Sequence, residues 1–191
     1  MGRVLIVAMA MLVPVIGSAQ TPEEYDYENL QFHGIGIEVG RVIPWNIEPT
    51  VSYGVRGDMG YVGPHLRIVP GIRFWSSHLK EDEVERLAVQ FIDICNRRAP
   101  GSCPETLDLG EVNRSDLELS ADAHVVPDLG VPLTPYGGGG LSLHLLNGGG
   151  ESIDDTFVEN LLDTVAPGVN VLAGVLLRLG SVAQLSLEGR L

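Results

Sequence analysis

Apolar and polar residues alternate with a period of two through most of the chain after Gly34, interrupted by clusters of Gly, Pro and Asp. In the final segment Ala183, Leu185, Leu187, Gly189 and Leu191 share one face, and Gln184, Ser186, Glu188 and Arg190 share the other. Such alternation predicts strands whose two faces meet different surroundings. The segment before it sets Val169, Val171, Ala173, Val175 and Leu177 against Asn170, Leu172, Gly174, Leu176 and Arg178, with Gly180-Ser181 as a tight hairpin between them. Five more segments follow the pattern, at 35–40, 51–56, 66–75, 116–125, where Asp116, Glu118, Ser120, Asp122 and His124 share the polar face, and 136–146. Each of the seven reads as roughly 8–11 residues long, which matches a tilted strand that crosses a bilayer.

The polar faces carry Glu38, Arg56, Arg67, Arg73, Glu118, Asp122, Arg178, Glu188 and Arg190. Arginine and carboxylate in rough balance suit an ion-pair network inside a small barrel, while the Leu, Val, Ile and Ala of the opposite faces suit lipid. Period two does not say which face is wet. A soluble sandwich, or a lipocalin-like barrel binding a small apolar ligand, would turn the same aliphatic face inward. Trp45, Tyr53, Tyr61, Trp75 and Tyr136 near strand ends fit an interfacial aromatic belt and favour the membrane orientation.

Two segments change period. Residues 79–98 space Val84, Leu87, Ala88, Phe91, Ile92 and Cys95 as a helix, with acids leading and Arg97-Arg98 closing. Residues 152–165 begin with Ser152 and Asp155 as a capping box, carry Ile153, Phe157, Leu161, Leu162 and Val165 as a stripe, and stop at Pro167-Gly168. Outer-membrane barrels of one chain carry an even number of strands, so an eighth is expected in 57–65, in 105–114 or before Gly34. The predicted fold is all-β: a closed antiparallel up-and-down barrel of about eight strands, with two short helical inserts at a mouth or rim.

The N-terminus adds an address. Arg3, an apolar run from Val4 to Ile16 and the small residues Gly17-Ser18-Ala19 follow the plan of a signal peptide. The expected organisation is a signal peptide over 1–19, an acidic linker over 20–33 and a barrel domain over 34–191. Export makes a Cys95–Cys103 disulfide the expectation, two free thiols being the alternative. With 12 Lys+Arg against 25 Asp+Glu the formal charge is −13, which disfavours nucleic acid as a partner.

The stretch 134–150, TPYGGGGLSLHLLNGGG, followed by 167–191, PGVNVLAGVLLRLGSVAQLSLEGRL, resembles the C-terminal half of small outer-membrane β-barrel proteins of the OmpA-transmembrane-domain-like superfamily. The shared features are a Tyr-Gly-Gly-Gly strand, an asparagine-containing strand ending in a basic residue, and a final Glu-x-Arg strand, here Glu188 and Arg190. The resemblance implies an eight-stranded barrel in the outer membrane of a diderm bacterium, with membrane lipid and the barrel-assembly machinery as partners. Such barrels usually end in an aromatic residue, and this chain ends in Leu191.

Candidate chemistry is sparse. The glycines of 34–40 depart from the dinucleotide fingerprint in spacing and context. The histidines His33, His65, His78, His124 and His144 lack metal-ligand spacing. Ser142 and His144 share a strand face, as do Asp122 and His124, but with no evident third partner they read as interior packing and not as a hydrolase. The expectation is therefore a non-enzymatic, cofactor-free, monomeric barrel with a mostly filled charged interior, in a structural, adhesive or small-solute role. A barrel enzyme acting on lipid is a weak third reading.

Overall fold

A computed structural model describes residues 30–150, 163–179 and 183–191. They form strands β1 (Leu30–Val42), β2 (Thr50–Gly63) and β3 (Leu66–His78), helix α1 (Glu81–Arg98), then β4 (Asn113–Val125), β5 (Leu133–Gly149), β6 (Thr164–Leu179) and β7 (Ala183–Arg190). The strands make one antiparallel sheet in chain order, β1-β2-β3-β4-β5-β6-β7. Each of the seven alternating segments lies in one of these strands. The sheet is curled and open: β1 and β7 are its two edges and are not hydrogen-bonded to each other among the described residues.

The closed eight-stranded barrel is thus not what the described residues build. Among the described residues, none of the three expected locations supplies an eighth strand. Residues 57–63 lengthen β2, 113–114 begin β4, and 30–33, part of the expected linker, begin β1. The helix expected over 152–165 lies mostly outside the described residues. Its last two positions, Thr164 and Val165, are strand, and Pro167-Gly168 runs on within β6 instead of stopping an element. The signal peptide and the Gly180-Ser181 hairpin also lie outside the described residues, although Leu179 pairs with Ala183 across that hairpin.

Proline within these strands follows the edges of the hydrogen-bond ladder. Among the described residues, Pro167 lies where β6 has a partner only in β5, because β7 pairs with β6 from Leu172 to Leu179. Pro135 pairs with Val175 of β6 but lies beyond the end of β4, whose last partner is Gly137. Pro70 pairs with Ala121 and stands opposite the register break in β2 between Arg56 and Tyr61. A residue with no N–H fits where a neighbour is missing or bulged.

Helix α1 places acids Glu81, Asp82 and Glu83 in its first turn and Arg97 and Arg98 in its last, complementing the helix dipole. Its buried face, centred on Ala88, packs on Leu109 and Val112 of the returning segment, with Val84, Leu87, Phe91 and Leu107 around them. The Cys95–Cys103 disulfide ties the helix end to that segment. The helix base is held to the β1–β2 connection by Lys80 N–H on Asn46 O (3.3 Å) and Lys80 Nζ on Trp45 O (2.8 Å).

Candidate functional site

The two faces of the sheet differ sharply. Ile37, Val169, Leu141 and Leu187 on the convex side are 84, 75, 68 and 77% exposed. Glu118 and Asp122 on the concave side are 6 and 2% exposed. Carboxylates are buried and aliphatic side chains are in the open, the reverse of a water-soluble sandwich. The aromatics divide between the faces. Trp45 and Tyr53 are exposed, whereas Trp75 and Tyr136 are buried and Tyr61 packs beside the buried Tyr136. The expected belt is therefore incomplete on the described surface.

Seven of the nine charged residues singled out in the sequence meet in one chain of ion pairs. Glu38 of β1 lies 3.6 Å from Arg56 and 3.2 Å from Arg73. Arg73 reaches Glu118 at 3.0 Å, and Glu118 reaches Arg190 at 3.3 Å. Arg190 also holds Asp122 at 2.7 Å and Glu188 at 3.2 Å. Arg56 and Glu188, 3.4 Å apart, close the circuit. Strands β2 and β7 are not neighbours in the sheet, so this contact measures how far the sheet curls. Tyr136 donates to Glu188 at 2.7 Å.

The other two stand apart. Arg67 makes a bidentate pair with Asp58, at 2.8 and 2.7 Å. Arg178 is exposed and makes no ion pair among the described residues. Gly140 makes room for the network: a Cβ there would stand 2.2 Å from Asp122 Oδ1. Below the ion pairs, toward the short β2–β3 turn, Val126, Tyr136, Leu172 and Leu176 form an apolar plug with Tyr61 against it.

Above the ion pairs, toward the long connections, lies a second polar cluster. His144 Nδ1 is 2.8 Å from Asp116 Oδ2. Ser142 Oγ is 3.0 Å from His144 Nε2. Asp116 is 4% and Ser142 7% exposed. The sequence reading paired His124 with Asp122 on β4; the partner of His144 is instead Asp116, from the neighbouring strand. His124 stacks on Tyr136 with ring centroids 5.2 Å apart. Asn170 of β6 brings its Oδ1 to 3.4 Å from Ser142 Oγ, and its Nδ2 is buried with no partner among the described residues. Gly168, paired with Ser142 in register, faces this cluster; a Cβ there would come within 2.5 Å of Ser142 Oγ and 3.0 Å of His144 Nε2. Asp116 and Asn170 were legible as polar-face residues, but nothing in their spacing ties them to Ser142.

No group of His, Cys, Asp and Glu among the described residues is arranged to hold a metal. No helix among them is long and apolar enough to cross a membrane. Comparison with protein-family models, with curated proteins and with solved structures returns no match for this chain.

Proposed function

We propose that the chain is an outer-membrane β-barrel protein of a diderm bacterium, with a charged and largely filled interior and a structural or adhesive role. The observation that carries the reading is the inverted polarity of the sheet. Burying seven charges around one another while leaving a continuous aliphatic surface exposed is stable only if that surface is covered by something apolar. Lipid tails do this for a barrel, whose strands alternate apolar-out and polar-in. Strand length agrees, since β1 to β6 run 13 to 17 residues, more than the roughly 9–11 needed to span. Closure into eight strands belongs to this proposal, and so do export through residues 1–19 and delivery by the assembly machinery. The ion-pair network needs no reaction and no cofactor, and an interior crossed by it leaves room at most for small solutes.

The test is the mobility of the full chain on SDS gels with and without boiling, after extraction in detergent. A folded barrel migrates differently before and after heating. If the chain instead stays monodisperse in plain buffer and shows one mobility, the soluble lipocalin-like reading replaces this one.

A further inference from the structure

We propose that the cluster on β4, β5 and β6 is a hydrolytic site for carboxylic esters with an apolar acyl chain. Ser142 is its nucleophile, His144 its base, Asp116 the positioning residue and Asn170 the oxyanion donor.

The connectivity is the one nucleophilic catalysis needs. With Nδ1–H donating to Asp116 at 2.8 Å, the imidazole presents a bare Nε2 to the Ser142 hydroxyl, 3.0 Å away. Three adjacent strands hold these groups, so their geometry is fixed by sheet register and not by a loop. Gly168, with no Cβ, lets the β6 backbone close on Ser142 Oγ and His144 Nε2, which a side chain there would displace. Asn170 supplies the further requirement. Its Nδ2 is a buried donor with no partner among the described residues, in a residue 7% exposed whose Oδ1 lies 3.4 Å from Ser142 Oγ. A buried amide left unpaired costs stability; a developing oxyanion beside Ser142 would satisfy it.

The substrate class follows from what adjoins His144. One residue further along β5 a shallow cavity of about 310 Å³ opens between Leu145, Leu146, Asn147, Asp163, Thr164 and Val165. Leu145 and Val165 of its lining share the convex face and Leu146 and Thr164 the opposite one, so the cavity sits at the rim, beside the cluster and not within it. Along this stretch no described residue pairs with β6 on its other side, because the bonds to the last strand end at Val171, which pairs with Leu191. An acyl chain lying on the exterior can pass over the rim and place its ester carbonyl at Ser142.

In the reaction Ser142 Oγ attacks the carbonyl carbon as its proton passes to His144 Nε2, and the negative oxygen rests on Asn170 Nδ2. The carbon–oxygen bond to the alcohol breaks, and His144 gives the alcohol its proton. Water then attacks the acyl-serine, His144 takes and returns a proton, and the carboxylic acid leaves with Ser142 restored.

The test uses the full chain folded in detergent micelles, with a fluorophosphonate probe and p-nitrophenyl octanoate and acetate. Ser142 should label, and octanoate should be preferred at least about tenfold in kcat/KM, the worth of burying roughly two methylenes. Ser142→Ala and His144→Ala should abolish both signals. Asp116→Asn should lower kcat by about 10³–10⁴-fold with KM unchanged, and Asn170→Ala by about 10²–10³-fold. Ser120→Ala, a neighbour on the same face outside the cluster, should change neither. Heat-dependent mobility of each variant reports folding separately, so failure of the barrel reading is told apart from failure of this one. A folded protein whose Ser142 does not label, or whose turnover survives His144→Ala, overturns the proposal.

Discussion

Glu188 accepts from Arg56, Tyr136 and Arg190, and so joins two arginines that would otherwise face one another across the interior. Its side chain is 8% exposed, and those of Arg56 and Arg190 are 21 and 14%. Breaking a pair this sheltered leaves uncompensated charge. Glu188→Ala should therefore lower stability by about 2–4 kcal/mol, the lower part of the range allowing for the exposure of Arg56. Urea unfolding in micelles measures it, and Glu188→Gln, which keeps a partner for the Tyr136 hydroxyl, should lose less. Gly168 makes the opposite demand, for absence of a side chain. Gly168→Ala should push Ser142 Oγ away from His144 and suppress fluorophosphonate labelling, with heat-dependent mobility retained. Single residues of this kind are half legible in sequence. The charged face of each strand is visible, so seven members of the network were nameable. Which carboxylate meets which cation depends on register and curl, and Asp116 and His144 are 28 positions apart.

The strands themselves are the most legible level, because an inward–outward alternation leaves a mark on every second residue. Pro167-Gly168 misled for a physical reason. The dipeptide punctuates a chain whose neighbours on both sides need its N–H groups, and among the described residues β6 at that height has a neighbour on one side only. Trp75 misled because a large aromatic near a strand end fits an interface as well as an interior, and here the ring is buried. Helix α1 was legible in its period, but its partner was not: the stripe packs on 107–112, the stretch that follows it, and so forms a small module with a core of its own. The Cys95–Cys103 bond closes that module across eight positions, a loop for which chain entropy predicts about 2–3 kcal/mol of stabilisation. Reduction, or Cys95→Ser with Cys103→Ser, should loosen the module alone. Limited proteolysis should then cut within 81–112 at a higher rate, while the gel mobility of the folded sheet stays as it was.

The antiparallel order places the connections 43–49 and 79–112 at one end of the sheet and 64–65 and 126–132 at the other. One end is thus elaborated and the other consists of shorter links, the asymmetry of barrels whose long loops face outward and short turns face the periplasm. On the proposed reading, protease added to intact cells should reach the disulfide-bonded module and leave the short links untouched. Curl and closure leave no such mark on the sequence, because they depend on the summed twist of seven strands and on what flanks β1 and β7. Polarity does leave one, and the two environments make opposite claims about a single side chain. Leu187 projects from β7 on the convex side and pairs with Val175 across the ladder. In water, replacing an exposed leucine by arginine is close to neutral for folding and favours solubility. In lipid, the same arginine costs about 2–4 kcal/mol at the bilayer midplane and less toward the interfaces. Leu187→Arg should therefore reduce the folded, heat-shifted fraction recovered in vesicles, whereas Leu187→Ala, which adds no charge, should come close to the parent. If Leu187→Arg folds as well as the parent in vesicles and gains solubility without detergent, then the aliphatic face meets water and the membrane assignment falls, whatever the ion pairs inside may do.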